Sequence, residues 1–146
     1  MLASAPRRTF GGEPPSYSTR TPAASVLLLC VALGGAAGAY ARYRLSRAVY
    51  ARAGHSFPWG TLAVNLAGSF ALGLVLPHLA GGATPLRALV AVGFLGAFTT
   101  FSTFAAEAVA LLEERRWGRA AGYVAASLAL GLAAIAAGVW VGTRLH

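Results

Sequence analysis

Four long apolar runs constrain this chain more than any other feature. They lie at about residues 25–43, 59–79, 86–112 and 120–141. Crossing the hydrocarbon of a bilayer takes roughly 20 residues at about 1.5 Å of rise each, and each run approaches or exceeds that length. Between Ala53 and Leu112 the only charged side chains are Arg87 and Glu107. Charged residues make up 11% of the chain, against about 25% in a soluble domain. Backbone groups in lipid must satisfy one another, which runs this long and evenly apolar do as helices. The expected fold is an all-α membrane protein with four transmembrane helices in one domain, residues 25–146.

Residues 1–24 are rich in Pro, Ser, Thr and Gly and read as a disordered polar tail. Arg7-Arg8-Thr9-Phe10 has the look of a twin-arginine export signal. The apolar run begins well after it, however, and carries a close-packing glycine pattern that a discarded leader does not need, so the first helix is read as retained. Pro58 and Trp59 open the second run, Pro77 closes it, Pro85 opens the third, and Trp117 and Trp140 bracket the fourth. Small residues recur at four-residue spacing: Gly34 and Gly38, Ser69 and Gly73, Gly118 and Gly122, Gly138 and Gly142. Such pairs let helices approach closely in lipid.

The formal net charge is +8, from 12 basic and 4 acidic residues. All the basic residues are arginine, scattered in short segments between apolar runs. That is the pattern of loops beside lipid headgroups, and it forms no continuous basic face for nucleic acid. With four spans both termini share one side, where Arg7, Arg8, Arg20, Arg87 and Arg144 lie. The other side holds Arg42, Arg44, Arg47, Arg52, Arg115, Arg116 and Arg119. Five against seven is a weak orienting bias. The chain is therefore able to insert both ways round, and two opposed copies would form an antiparallel dimer with dual topology. Cys30 is the sole cysteine, and the three histidines lack ligand spacing, so a thiolate or histidine metal site is excluded.

The third run, 27 residues long, contains Thr99-Thr100-Phe101-Ser102-Thr103-Phe104. Hydroxyl groups are costly against lipid and cheap only against protein or a wet cavity. The length and the polar cluster together predict a helix broken near its centre. Thr61, Asn65 and Ser69 form an i, i+4, i+8 stripe on the second helix, and Tyr123 and Ser127 an i, i+4 pair on the fourth. The parallel stripes favour a polar pathway, while Asn65 alone is as readily a glue between helices. Phe101 and Phe104 share a face among the hydroxyls. A phenyl ring has a positive edge, so ring edges offer an anion weak sites that do not trap it. Arg42 reads either as an interfacial anchor or as a charge at a vestibule. Glu107 is expected to bond Thr103 or to pair with an arginine.

Three blocks now identify a resemblance. They are Gly34-Gly35-Ala36-Ala37-Gly38-Ala39-Tyr40-Ala41-Arg42-Tyr43, then Gly60-Thr61-Leu62-Ala63-Val64-Asn65-Leu66-Ala67-Gly68-Ser69-Phe70, and Gly93-Phe94-Leu95-Gly96-Ala97-Phe98 running through Thr99–Phe104 to Glu107. In order and spacing the chain resembles the CrcB/Fluc family of fluoride channels. The resemblance implies an antiparallel dimer with two fluoride pores, passive fluoride export across the cell membrane, and a structural sodium ion at the dimer centre. The sodium would be held by the backbone carbonyls of Gly96 and Thr99 from both subunits. Asn65, Phe101, Phe104, Thr61 and Ser127 would line the pore, and Arg42 would sit at the vestibule. Ala97 replaces a glycine common in the family, and the tail is an addition that leaves open whether the partner subunit is identical or paralogous.

Other classes are weaker. A proton-coupled exporter needs a midplane carboxylate, and Glu107 stands toward the end of its run. An intramembrane hydrolase on Ser69 lacks a convincing base, with His78 about two turns away. A structural membrane subunit that conducts nothing remains compatible with the glycine pattern.

Overall fold

The computed structural model describes residues 24–79 and 82–145. The expected polar tail, through residue 23, lies outside the described residues. α1 spans Ala24–Ala53 and α2 spans Trp59–Val75, followed by a 3-10 turn at Leu76–Leu79. The third span begins with a short α-helical stretch, α3, at Pro85–Arg87, and continues as a π-helix over Ala88–Leu95. Next come α4, Gly96–Phe98, and α5, Phe101–Glu113; α6 is Trp117–Arg144. Four helical segments are thus long and apolar enough to cross a membrane: Ala24–Ala53, Trp59–Leu79, Pro85–Glu113 and Trp117–Arg144. The described residues contain no strand.

The sequence places the end of the first span near residue 43, whereas α1 continues to Ala53. No glycine or proline interrupts the chain there until Gly54, which takes a positive φ of 73° and ends the helix. Along the extension the Arg44 and Arg47 guanidiniums donate to the Tyr40 and Tyr43 hydroxyls one turn back, at 2.9 and 3.0 Å. Arginine and tyrosine at this spacing carry the helix beyond the apolar run.

Two seams hold the bundle together. α1 lies along the π-helix, where Gly34 and Gly38 leave no room for a Cβ beside the backbone of Leu89 and Phe94. α2 lies along α6, where Gly73 meets the backbone of Ile135 and Val139, and Gly138 and Gly142 meet that of Phe70 and Leu74. Close contact of this kind replaces the hydrophobic drive that lipid removes. The Gly118–Gly122 pair is different: a Cβ at either would meet nothing within 4 Å. The four-residue spacing there is coincidental as far as contacts within one chain go.

α5 ends in a Schellman turn. Arg115 N–H bonds the Leu112 carbonyl at 3.0 Å and Arg116 N–H the Leu111 carbonyl at 2.9 Å. Arg115, with φ of 57°, occupies the left-handed position that glycine usually fills. A side chain in that conformation costs on the order of 1–2 kcal/mol.

Candidate functional site

Between α4 and α5, two residues leave the helical conformation. Thr99 has φ −80° and ψ 159°, and Thr100 has φ −150° and ψ 116°. The Asn65 side chain on α2 replaces the hydrogen bonds that the main chain gives up. Its Oδ1 accepts from Thr100 N–H at 2.8 Å, and its Nδ2 donates to the Thr100 carbonyl at 3.0 Å. One carboxamide therefore satisfies both backbone groups of one extended residue, as a neighbouring strand would. Thr100 in turn caps α5, with its Oγ1 accepting from Thr103 N–H at 3.2 Å.

The break also strips carbonyls of their helical donors. In an unbroken helix Thr100 N–H would bond the Gly96 carbonyl, and Thr103 N–H the Thr99 carbonyl. The first donor is taken by Asn65 and the second by the Thr100 hydroxyl. α5 begins at Phe101, so the N–H groups of Phe101 and Ser102 make no helical bond back to Ala97 and Phe98 either. Four successive carbonyls, Gly96 through Thr99, thus lose their helical donors, the pair assigned by resemblance to a cation among them. The Thr99 carbonyl accepts a long contact of 3.5 Å from the Arg42 guanidinium. That contact places Arg42 beside the extended pair, partly buried.

Asn65, Ser69, Gly96, Thr99, Phe101, Phe104 and Ser127 line one cavity of about 360 Å³. Six of the eight residues singled out from the sequence for the pore, cation site and vestibule meet there. The Phe101 and Phe104 rings are tilted by 45° with centroids 5.7 Å apart. Phe101 is 79% exposed, so its ring projects out of the subunit. Gly68 leaves room for Thr99, since a Cβ at Gly68 would collide with the Thr99 methyl group.

Thr61 faces a different neighbourhood. Its hydroxyl donates to Glu107 Oε1 at 2.8 Å. The Tyr50 hydroxyl donates to the same oxygen at 2.9 Å, and the Tyr123 hydroxyl to Oε2 at 2.7 Å. Glu107 bonds neither Thr103 nor an arginine, contrary to the expectation from spacing. Three hydroxyl donors from three other helices hold this carboxylate instead, a set of charge-assisted bonds suited to an apolar bundle. The ring of Tyr123, which is fully buried, lies tilted against that of Phe104 with centroids 5.2 Å apart and so links this cluster to the cavity. Tyr50 was not singled out in the sequence, because α1 was expected to have ended before it.

A family model described as CrcB-like protein, Camphor Resistance (CrcB), matches residues 29–139. The chain belongs to this family. It is 50% identical over 115 residues to a protein of Magnetococcus marinus named fluoride-specific ion channel FluC, covering 77% of this chain and 94% of the relative. Proteins of the same name from Hahella chejuensis and Geobacter sulfurreducens are 48% and 45% identical, each over 121 residues. The matches cover 81% of this chain and 94% and 98% of those relatives. These CrcB-like relatives are named as ion channels and not as enzymes, so the exporter and hydrolase readings lose their ground.

Proposed function

We propose that the chain is a fluoride-specific ion channel of the cell membrane. In this reading it works as an antiparallel, dual-topology dimer, with either an identical or a paralogous partner. The observation that carries the reading is the Asn65–Thr100 junction. It opens the third helix beside a cavity whose lining combines a carboxamide, hydroxyls and ring edges, with no fixed cation inside it. Such a lining gives a small anion several weak, successive partners, which conduction requires. Arg42 raises the local anion concentration at the cavity mouth without sitting in the path. The exposed ring of Phe101 is covered by the second copy, so each pore is built from both subunits. Thr61 and the hydroxyls around Glu107 continue the polar route past Phe104.

A sodium ion fits the break in the third span, because carbonyls there, Gly96 and Thr99 among them, have lost their helical donors and a cation satisfies such oxygens. When bound, the ion supplies a fixed positive charge that holds the two third helices together; it does not travel with fluoride. Gly96 and Thr99 are the residues that would hold it. Flow through the pore is passive, and export follows whenever internal fluoride exceeds external.

The test is ion efflux from liposomes containing the purified protein, read with fluoride and chloride electrodes. Rapid fluoride efflux without a proton gradient, and little chloride efflux, is the expected result. Efflux that depends on a proton gradient, or none, would overturn the reading. Replacing sodium by a bulky organic cation should shift the particle from dimer to monomer by light scattering. An unchanged dimer would remove sodium from the proposal and leave the channel standing.

A further inference from the structure

An apolar groove of about 670 Å³ lies between α5 and α6, away from the cavity just described except at one shared residue. Ala108, Leu112, Trp117, Ala121, Val124 and Leu128 line it, and every other lining residue is also apolar. It runs from Trp117 to Leu128 along α6, roughly 16 Å at 1.5 Å per residue. That is about half of the ~30 Å hydrocarbon thickness, the depth of a single leaflet. A partner helix crossing the membrane would need the full thickness; one acyl chain needs only half.

The mouth of the groove is the turn that joins the two helices. Its cations are not equally engaged. Arg116 pairs with Glu114 at 3.0 Å, and Arg119 donates to the Ser56 carbonyl at 2.9 Å. The Arg115 guanidinium makes no hydrogen bond or ion pair among the described residues. It is exposed, and Glu113 is the other uncommitted charge of the turn. Arg115 also occupies the left-handed position where glycine would sit without strain. The fold therefore keeps a free guanidinium at a place where local conformation disfavours any side chain.

We propose that this groove binds one anionic phospholipid, with an acyl chain along α6 and the headgroup phosphate at Arg115. Charge complementarity selects the anionic lipid, and the groove's depth selects a chain of one leaflet. Leu128 lines both this groove and the cavity of the candidate pore, so the end of the acyl chain reaches the wall of that cavity. The inference stands whatever ion the pore conducts.

Native mass spectrometry of the intact protein, equilibrated with equal phosphatidylglycerol and phosphatidylcholine, tests this. One arginine near the headgroups should favour phosphatidylglycerol about fivefold. Arg115→Gly should abolish that preference while leaving the melting temperature unchanged or higher, because glycine relieves the backbone. Ala121→Trp, which fills the groove, should cut retention of both lipids with Arg115 in place. Arg144→Ala, at the opposite end of α6, should leave the preference intact. An undiminished preference in Arg115→Gly, or unchanged retention in Ala121→Trp, would overturn the proposal. So would displacement of the lipid by millimolar inorganic phosphate, or a disulfide between two copies carrying Ala121→Cys and Cys30→Ala.

Discussion

The Asn65–Thr100 junction and the Glu107 cluster both bury polar atoms in an apolar bundle, in opposite ways. At the junction, one side chain takes over hydrogen bonds that a helix would make to itself, and the main chain changes course. Around Glu107 the helices stay intact, and α1, α2, α5 and α6 each contribute one side chain to a shared knot. The first arrangement releases carbonyl oxygens for another partner; the second leaves none of its four side chains idle. A buried polar residue in a membrane helix thus serves as a lever on the backbone or as a bolt between helices, and only its partners distinguish the two.

The contrast breaks first at Asn65. Asn65→Leu strands Thr100 N–H and C=O, at about 1–3 kcal/mol for each orphaned group. Thermal unfolding in detergent should therefore show a loss of roughly 2–6 kcal/mol, with fluoride efflux abolished. Asn65→Asp keeps the acceptor for Thr100 N–H and should fall between the two. If Asn65→Leu proves milder than any change around Glu107, the lever and the bolt are not different devices.

Glu107→Gln comes next. Its amide oxygen can still accept from Tyr50 and Thr61, but its NH₂ cannot accept from Tyr123. One buried hydroxyl loses its acceptor, and stability should drop by about 1–3 kcal/mol in the same assay. Phe101→Ile keeps bulk and removes the ring edge. It should slow fluoride efflux by about twofold to tenfold, on the scale of 0.5–1.5 kcal/mol per ring interaction, without changing the stability of the single subunit. Phe104→Ile should slow efflux similarly but also cost stability, since that ring packs near Tyr123. Equal stability of the two variants would mean that the cavity and the Glu107 cluster are not coupled through Phe104.

The smallest effect belongs to Thr61→Val. Tyr50 still supplies the same oxygen of Glu107, so about 0.5–1.5 kcal/mol should be lost. A fall in efflux larger than the fall in stability accounts for would place Thr61 on the ion's route. No change in efflux would confine it to the knot.

The sequence announced the helices because apolar length is a local quantity, read one segment at a time. It also marked Asn65, as part of a polar stripe or as a glue between helices, since a carboxamide is expensive alone in lipid. It did not identify Thr100 as the residue that supplies both, because the pair stands 35 positions apart. Glu107 was misread for the same reason. Spacing offered Thr103, four residues away, whereas the actual donors stand 57, 46 and 16 positions off. Tyr50 was invisible for a further reason: its helix outlasts its apolar run, held by arginine–tyrosine contacts that hydropathy does not register. Glycine spacing was a fair guide to the two seams and a poor one at Gly118 and Gly122, where only three-dimensional neighbours decide.

The 35-position separation of Asn65 and Thr100 also orders events during synthesis. At 5–20 residues per second, Asn65 leaves the ribosome roughly 2 to 7 s before Thr100 does. The carboxamide is thus already outside the ribosome when the third span emerges. That span can enter the bilayer as an ordinary continuous helix, with every backbone group bonded internally, and exchange those bonds for the side chain's only once the two helices meet. By that route the costly conformation need never face lipid on its own.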